Sequence, residues 1–356
     1  FELITEKFKL PVDRLYFTVF TDDDETHDVW RSLGVAEDHI SRLGEDDNFW
    51  AAGPTGPCGP CSEIYFDQGP EVGCGKPDCK PGCDCDRFLE FWNLVFTQYD
   101  RQEDGSMPEL PHRNLDTGMG LERMAAILQH KSANYDGDLM QSLIALGEKI
   151  SGKKYVADDY SGASRSLRII ADHARAVDFM ISDGILPGNE GREYVLRRLL
   201  RRAARHGRLL GINRPFLSEV AETVIQENAN AYPNLVEKKD FILKVIANEE
   251  ENFSKTIDAG LQILEKMIDS ADKSVFSGED AFKLSATFGF PIDLTKELLE
   301  EGNMTVDEER YRELVKDQRE RARNAREDAG QDAWKGSADA TKDMAATEFC
   351  GYTDLE

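Results

Sequence analysis

The chain has 356 residues and a formal net charge of −25 at pH 7, with 40% apolar, 31% charged and 9% aromatic residues. That composition belongs to a globular chain of about two domains and excludes a disordered or fibrous one. No apolar run approaches a membrane span, no signal-peptide pattern opens the sequence, and seven cysteines without a secretory context point to a reducing compartment, the cytoplasm.

Leu15 to Phe20 reads as a buried strand, and the acidic run from Asp22 to Glu25 opens a helix through about Leu33. Ile40 to Leu43 is a short strand at best. Asn48 to Pro60, rich in Gly and Pro, reads as a loop with Trp50 inside it, and Ser62 to Asp67 alternates as a strand. Cys74, Cys79, Cys83 and Cys85 follow in a Gly/Pro/Asp loop, just after Cys58 and Cys61. Four thiolates so close in sequence can close a tetrahedral Zn²⁺ site, although the spacing is not a common structural-zinc pattern and the alternative is an unmetallated surface loop. Cys58 and Cys61 read better as part of a fixed Gly-Pro wall.

Arg87 to Tyr99 is a strand with two distinct faces. Phe91, Asn93, Val95 and Thr97 point one way, a small and partly polar face; Trp92, Leu94, Phe96 and Gln98 point the other way, a core face. Glu103-Asp-Gly105 supplies turn chemistry that returns the chain to a strand ending at Leu115-Asp116-Thr117. Gly118 and Gly120 then break the path, and Leu121, Met124, Ala125 and Leu128 take up helical spacing. Sequential strands joined by short turns indicate an antiparallel sheet. Arg123 falls in the first helical turn, where the macrodipole disfavours a cation, so an anion is expected there. Asp116 for an ammonium and Arg123 for a phosphate make a clamp for an amino acid plus a nucleotide. The alternative is a tight strand–helix turn in which Glu122 offsets Arg123.

From Asn134 onward strand signals nearly vanish. Arg165 to Ile181 sets Leu167, Ile170, Ala171, Ala174, Val177 and Ile181 on one helical face. Tyr194 to Leu210 does the same with Val195, Leu196, Leu199, Leu200, Ala203 and Ala204, turning Arg197, Arg198, Arg201, Arg202, Arg205 and Arg208 to the other side. Between Arg192 and Arg214 stand eight arginines and one acid, Glu193. A basic stripe on an acidic body suits RNA phosphates, and acidic partners at i±4 are nearly lacking; the alternative is a solvated helix face. His173 and His206 have no ligand spacing and read as structural or RNA-adjacent. Further helices are expected at Leu217 to Asn228, Val236 to about Ile268, Glu279 to Thr287 with Ser277 as cap, Leu294 to Glu301 ended by Gly302, and Asp307 to Glu327.

Asp116-Thr-Gly-Met-Gly-Leu-Glu-Arg123 resembles motif 3 of class II aminoacyl-tRNA synthetases. With Trp50, Thr55-Gly-Pro-Cys-Gly-Pro-Cys-Ser-Glu-Ile64, Trp92-Asn-Leu-Val-Phe96 and Tyr194-Val-Leu-Arg-Arg198, nearly the whole chain is similar to the alanyl-tRNA synthetase family. The resemblance implies an α+β chain. Residues 1–133 would form the C-terminal part of an antiparallel class II catalytic domain, with motif 3 at 115–128. Residues 134–335 would form an all-helical tRNA-recognition domain, and 336–356 a linker and the start of an editing domain. It implies that Asp116 holds the α-ammonium of alanine and that Trp50, Asn93, Val95 and Gly118 close the pocket. Gly118, Gly120 and Arg123 would meet ATP and its Mg²⁺, and Asn189 and Asp293 the tRNA(Ala) acceptor stem beside Arg197, Arg198, Arg201, Arg202 and Arg205. The alternatives are a loop Asn in a turn for Asn189 and an N-cap of the Leu294 helix for Asp293. The family's usual zinc site belongs to the editing domain. Motifs 1 and 2 are not found, so the chain is expected to be a fragment with half an ATP site and no adenylation activity alone. The rivals are a non-catalytic RNA-binding protein with a cysteine-rich module, and a synthetase paralogue of other specificity; oligomeric state stays open.

Overall fold

The computed structural model describes residues 1–269 and 274–328. The chain divides into two compact units between Ala247 and Asn248. The expected linker and editing-domain start at 336–356 lie outside the described residues.

The first unit begins with β1 (Leu15–Phe20), α1 (Asp24–Ser32), β2 (Ile40–Leu43), α2 (Glu45–Asn48), β3 (Phe49–Ala51), β4 (Gly56–Asp67), β5 (Phe88–Arg101), β6 (Glu109–Met119) and α3 (Leu121–Leu128). The strands form one sheet in the order β2-β1-β4-β5-β6, with β3 on β4. Every pairing is antiparallel except β1 with β2. Asp23 caps α1 by accepting from the Thr26 backbone N–H at 2.9 Å, so the acidic run does open that helix.

Two expectations change here. Asn48 to Pro60 is not a loop throughout: Phe49–Ala51 pairs with Cys58–Pro60, setting Trp50 opposite Gly59. The strand before α3 does not end at Asp116 but runs to Met119, with Gly118 paired to Asn93. Gly120 takes the N-cap position in extended backbone at φ −72°, so neither glycine forms a left-handed turn.

The buried face of the sheet carries Leu15, Phe17 and Val19 of β1 with Ile64 and Phe66 of β4, packed on Trp30 of α1 and Met124 and Ile127 of α3. Phe91 joins this core, against the alternation read from sequence. Trp92 pairs with Ile64 and Glu90 with Tyr65, so Phe91 is an extra residue on β5, a bulge that turns it inward. A second irregularity, between Cys58 and Cys61, brings the Phe96 carbonyl to where a Cβ on Gly59 would lie, 2.0 Å away. Only glycine fits there.

Helices then take over: α4 (Asp138–Ser151), α5 (Gly162–Ser182), α6 (Gly191–Leu209), α7 (Leu217–Asn228), α8 (Pro233–Glu237) and α9 (Lys239–Asp269). All six apolar residues expected on one face of α5 are buried. The second unit contains β7 (Val275–Phe276), α10 (Gly278–Phe288), α11 (Ile292–Glu301), β8 (Thr305–Val306) and α12 (Glu308–Asp328). β7 and β8 pair in parallel, a small departure from an all-helical region. Ser277 caps α10 as expected, accepting from the Asp280 backbone N–H. α11 starts earlier than expected, with Pro291 at its N-cap, so Asp293 lies in the first turn and is not the cap.

Candidate active site

Paired residues on neighbouring strands share a face, and the register assembles the open face of the sheet in rows. Cys61, Val95 and Asp116 form one row; Glu63, Asn93 and Gly118 the next; Tyr65 and Glu90 the third. Trp50, opposite Gly59, continues the same alternation on β4. Trp50, Asn93, Val95 and Asp116, scattered over the sequence, therefore meet on one surface. Asp116 and Trp50 are exposed, the latter at 42%, and Val95 is buried. Asp116 Oδ1 accepts from the Thr117 backbone N–H at 2.8 Å. A Cβ placed on Gly118 would meet nothing within 4 Å, so bare backbone is open to a ligand at the centre of the rows.

Under this face lies a polar network that sequence reading missed. Glu63 is 7% exposed, and its Oε2 accepts from the Tyr65 hydroxyl at 2.6 Å and from Thr18 Oγ1 at 3.4 Å. Its Oε1 takes Asn93 Nδ2 at 3.5 Å. Asn48 Nδ2 donates to Thr18 Oγ1 at 2.8 Å and to the Cys61 carbonyl at 3.0 Å. Burial pushes the Glu63 carboxyl up to about 7, helped by the neighbouring charges of Glu90 and Asp47, and pushes the Cys61 thiol up to about 12. Asn93 Oδ1 is buried with no hydrogen-bond partner among the described residues, an acceptor left over at the pocket floor. The available signal was the spacing of Glu63 and Tyr65, two apart on one strand face.

Arg123 rises from the first turn of α3 onto the third row. Its Nη1 donates to the Glu90 carbonyl at 2.6 Å and to Glu90 Oε2 at 3.2 Å. Glu90, not Glu122, therefore offsets this cation, while Glu122 forms a half-buried ion pair with Arg175 of α5. Among the described residues Nη1 alone is used, so the fork keeps donors for an anion. Arg123 and Glu90 line a cavity of about 380 Å³ with Tyr65, Cys85, Tyr135 and Tyr160, within the roughly 300–1,000 Å³ usual for small-molecule sites. Asp116 and Arg123 thus flank Gly118 on one side of the sheet, two rows apart, about 13 Å along the strand direction.

A family model described as tRNA synthetases class II (A) matches residues 1–356. The chain belongs to the class II tRNA synthetases. This synthetase chain is 51% identical to the alanine--tRNA ligase of Clostridioides difficile strain 630, over 99% of its own length and 40% of the relative's. It is 50% identical to the alanine--tRNA ligase of Acetivibrio thermocellus, over 100% of its length and 41% of the relative's. Against alanine--tRNA ligase 1 of Lachnoclostridium phytofermentans the figure is 52%, over 91% and 37%. The chain spans about two fifths of the length of the curated relatives it matches.

The basic helix of the synthetase chain is less one-sided than its sequence suggests. Leu196, Leu200, Ala203 and Ala204 of α6 are buried as expected, but Val195 is 38% exposed and Arg205 only 2%. Arg205 and the buried His206 turn toward the helical core, where His206 Nδ1 meets Ser166 Oγ at 3.0 Å. Arg198 is exposed; Arg197, Arg201, Arg202 and Arg208 are half-buried. Arg197, Arg198, Arg201 and Arg202 each make polar or electrostatic contacts within the protein, and Arg202 Nη1 lies 3.3 Å from His173 Nε2. His173 is buried, with Nδ1 2.8 Å from Asp172 Oδ2. Asn189 stands exposed in the bend before α6.

Cys74, Cys79, Cys83 and Cys85 converge, with all four Sγ atoms within 4.8 Å of one another. Backbone N–H groups lower the Cys74 thiol, and bring that of Cys85 down to about 7. Cys58 and Cys61 belong to β4 and are buried. Among the described residues no helix is long and apolar enough to cross a membrane.

Proposed function

We propose that this chain supplies the alanine pocket, part of the ATP site and the acceptor-stem contacts of a cytoplasmic alanine–tRNA ligase. One observation carries the reading: the sheet register that gathers Trp50, Asn93, Val95 and Asp116 around the open backbone of Gly118. It is supported by about half identity to alanine--tRNA ligases along the chain's whole length.

In this reading Asp116 takes the α-ammonium, while Trp50 and Val95 leave room for little more than a methyl group. Arg123, anchored by Glu90, offers its remaining donors to a phosphate oxygen of ATP, whose Mg²⁺ neutralises the neighbouring charge. The alanine carboxylate oxygen attacks the α-phosphorus in line; the new O–P bond forms as the bond to pyrophosphate breaks. The attacking group is already ionised, so no protein nucleophile or base is required, and the rate comes from positioning and charge complementarity. A terminal ribose hydroxyl of tRNA then displaces AMP from the acyl carbon.

Residues 1–133 serve the chemistry and 134–335 the tRNA. Arg197, Arg198, Arg201 and Arg202 face phosphates, and Asn189 offers its amide group to a minor-groove edge. Arg205, being buried, orients the helix instead of touching RNA.

The test is calorimetric titration of the chain with non-hydrolysable aminoacyl-adenylate analogues. The alanyl analogue should bind more than about tenfold tighter than the leucyl one, because the larger side chain meets Val95 and Trp50. Equal affinities would defeat the alanine assignment, and no affinity for either would leave only an RNA-binding module.

A further inference from the structure

The segment between β4 and β5, residues 68–87, is long for a connection inside a compact unit, and such loops normally have something that holds them. Its only regular structure is the single turn Pro70–Val72, and most of its side chains are exposed or half-exposed. An apolar core is not what orders it.

The stem is closed by polar contacts. Arg87 grips Asp67 with two bonds, Nε to Oδ1 at 2.8 Å and Nη2 to Oδ2 at 2.7 Å. The Gln68 backbone N–H donates to the Arg87 carbonyl at 2.7 Å, and Gln68 Nε2 to the Asp86 carbonyl at 2.6 Å. Beyond this stem, the loop's interior is four sulfurs. Cys74 and Cys83 stand 3.5 Å apart, as do Cys79 and Cys85, and the whole set falls within 4.8 Å. Four thiolates around a zinc ion, each at about 2.3 Å, have sulfur–sulfur edges of about 3.8 Å. The observed separations bracket that value.

Thiols are weak donors and weak acceptors, and a thiol-to-thiol hydrogen bond gives little reason to collect four of them in an exposed loop. Gly75 at φ +74° and Gly82 at φ +89° let the chain double back between the ligands, a conformation L side chains avoid. The other two described cysteines are engaged elsewhere: Cys58 Sγ lies 3.9 Å from Met107 Sδ, and Cys61 Sγ 3.8 Å from the Asp47 carbonyl.

We propose that Cys74, Cys79, Cys83 and Cys85 bind one Zn²⁺ as an all-thiolate structural centre that pins the β4–β5 loop. All four positions are filled by protein, which leaves no open site for catalysis and assigns the metal a purely structural part. Its position matters nonetheless. Cys85 lines the cavity of Arg123 and Glu90, so the centre fixes one wall of that cavity.

The experiment uses the 356-residue chain purified under reducing conditions, with elemental analysis for zinc, iron and copper. One zinc per chain is expected. Cys79→Ser and Cys83→Ser should each lower zinc retained after dialysis by about tenfold or more. Should either variant fail to fold, the wild-type chain stripped of metal and titrated with Co²⁺ decides. A saturable thiolate-to-cobalt charge-transfer band with intense tetrahedral d–d bands supports the site. Metal removal should also speed proteolytic nicking between Cys74 and Cys85, as metal binding orders the loop. Absence of metal and of a cobalt spectrum in a folded chain would overturn the proposal. So would disulfides mapped to Cys74–Cys83 and Cys79–Cys85 in the reduced-buffer preparation, or stoichiometric iron in place of zinc.

Discussion

Glu63 is the buried carboxyl on which the open face of the sheet rests, and replacing it with Gln isolates what its charge costs. Burial holds its folded-state value at about 7, against 4.5 for an ordinary glutamate. A group raised in the folded state contributes stability that is complete below its unfolded value and is lost as pH climbs through its folded value. Across roughly 2.5 units that loss is about 3 kcal/mol, since each unit is worth 1.36 kcal/mol. Glu63→Gln keeps an acceptor for the Tyr65 hydroxyl at 2.6 Å and cannot ionise. Urea unfolding followed by tryptophan fluorescence suits the measurement, because Trp30 Nε1 donates to Ser62 Oγ at 2.9 Å, one residue away. Between pH 4.5 and pH 7 the wild type should lose up to about 3 kcal/mol relative to the variant, with most of the change above pH 5. A carbon-detected titration of the Glu63 carboxyl should show a midpoint near 7. Parallel stability curves for the two proteins, or a midpoint near 4.5, would refute the reasoning.

Asp178 of α5 is fully buried with no hydrogen bond to either oxygen among the described residues, and burial lifts it to about 8. Its contribution is likewise present at low pH and lost as pH rises toward 8, so Asp178→Ala should be stabilised relative to wild type at pH 8 by up to about 5 kcal/mol and little changed at pH 4; denaturant titrations at the two pH values check this. Gly59→Ala drives a Cβ into the Phe96 carbonyl and should cost about 3 kcal/mol or more, read as a lower thermal midpoint. Arg198→Ala, at an exposed position of α6, should weaken tRNA binding and lower the slope of log affinity against log salt by about 1, measured by filter binding at several salt concentrations.

The elements that sequence made legible are those whose cause is local. Asp23 capping α1, Ser277 capping α10 and the buried stripe of α5 all follow from neighbours within one or two turns. What escaped depends on a partner distant in sequence. Phe91 alternates correctly along β5 until β4 imposes a bulge. Trp50 looks like a loop residue until Gly59 pairs with it. Arg205 looks outward on a helical wheel until the surface α6 packs against covers it, and Glu90 is an unremarked acid until α3 returns Arg123 to it. Trp50, Asn93, Val95 and Asp116 were singled out for a different reason, the resemblance of their motifs to a known family; the register brings these four residues to one face. Glu63 and Asn48 are buried polar groups whose depth is set by contacts with Thr18, distant from both in sequence.

The central claim is that Asp116 receives the ammonium of an activated amino acid. Calorimetric titration of a non-hydrolysable alanyl-adenylate analogue into the wild-type chain and into Asp116→Ala tests it most directly. Losing a charge-assisted contact of 1.5–3 kcal/mol predicts about 10- to 150-fold weaker binding in the variant, with the circular dichroism spectrum unchanged because the side chain is exposed. Equal affinity of the two proteins would contradict the account.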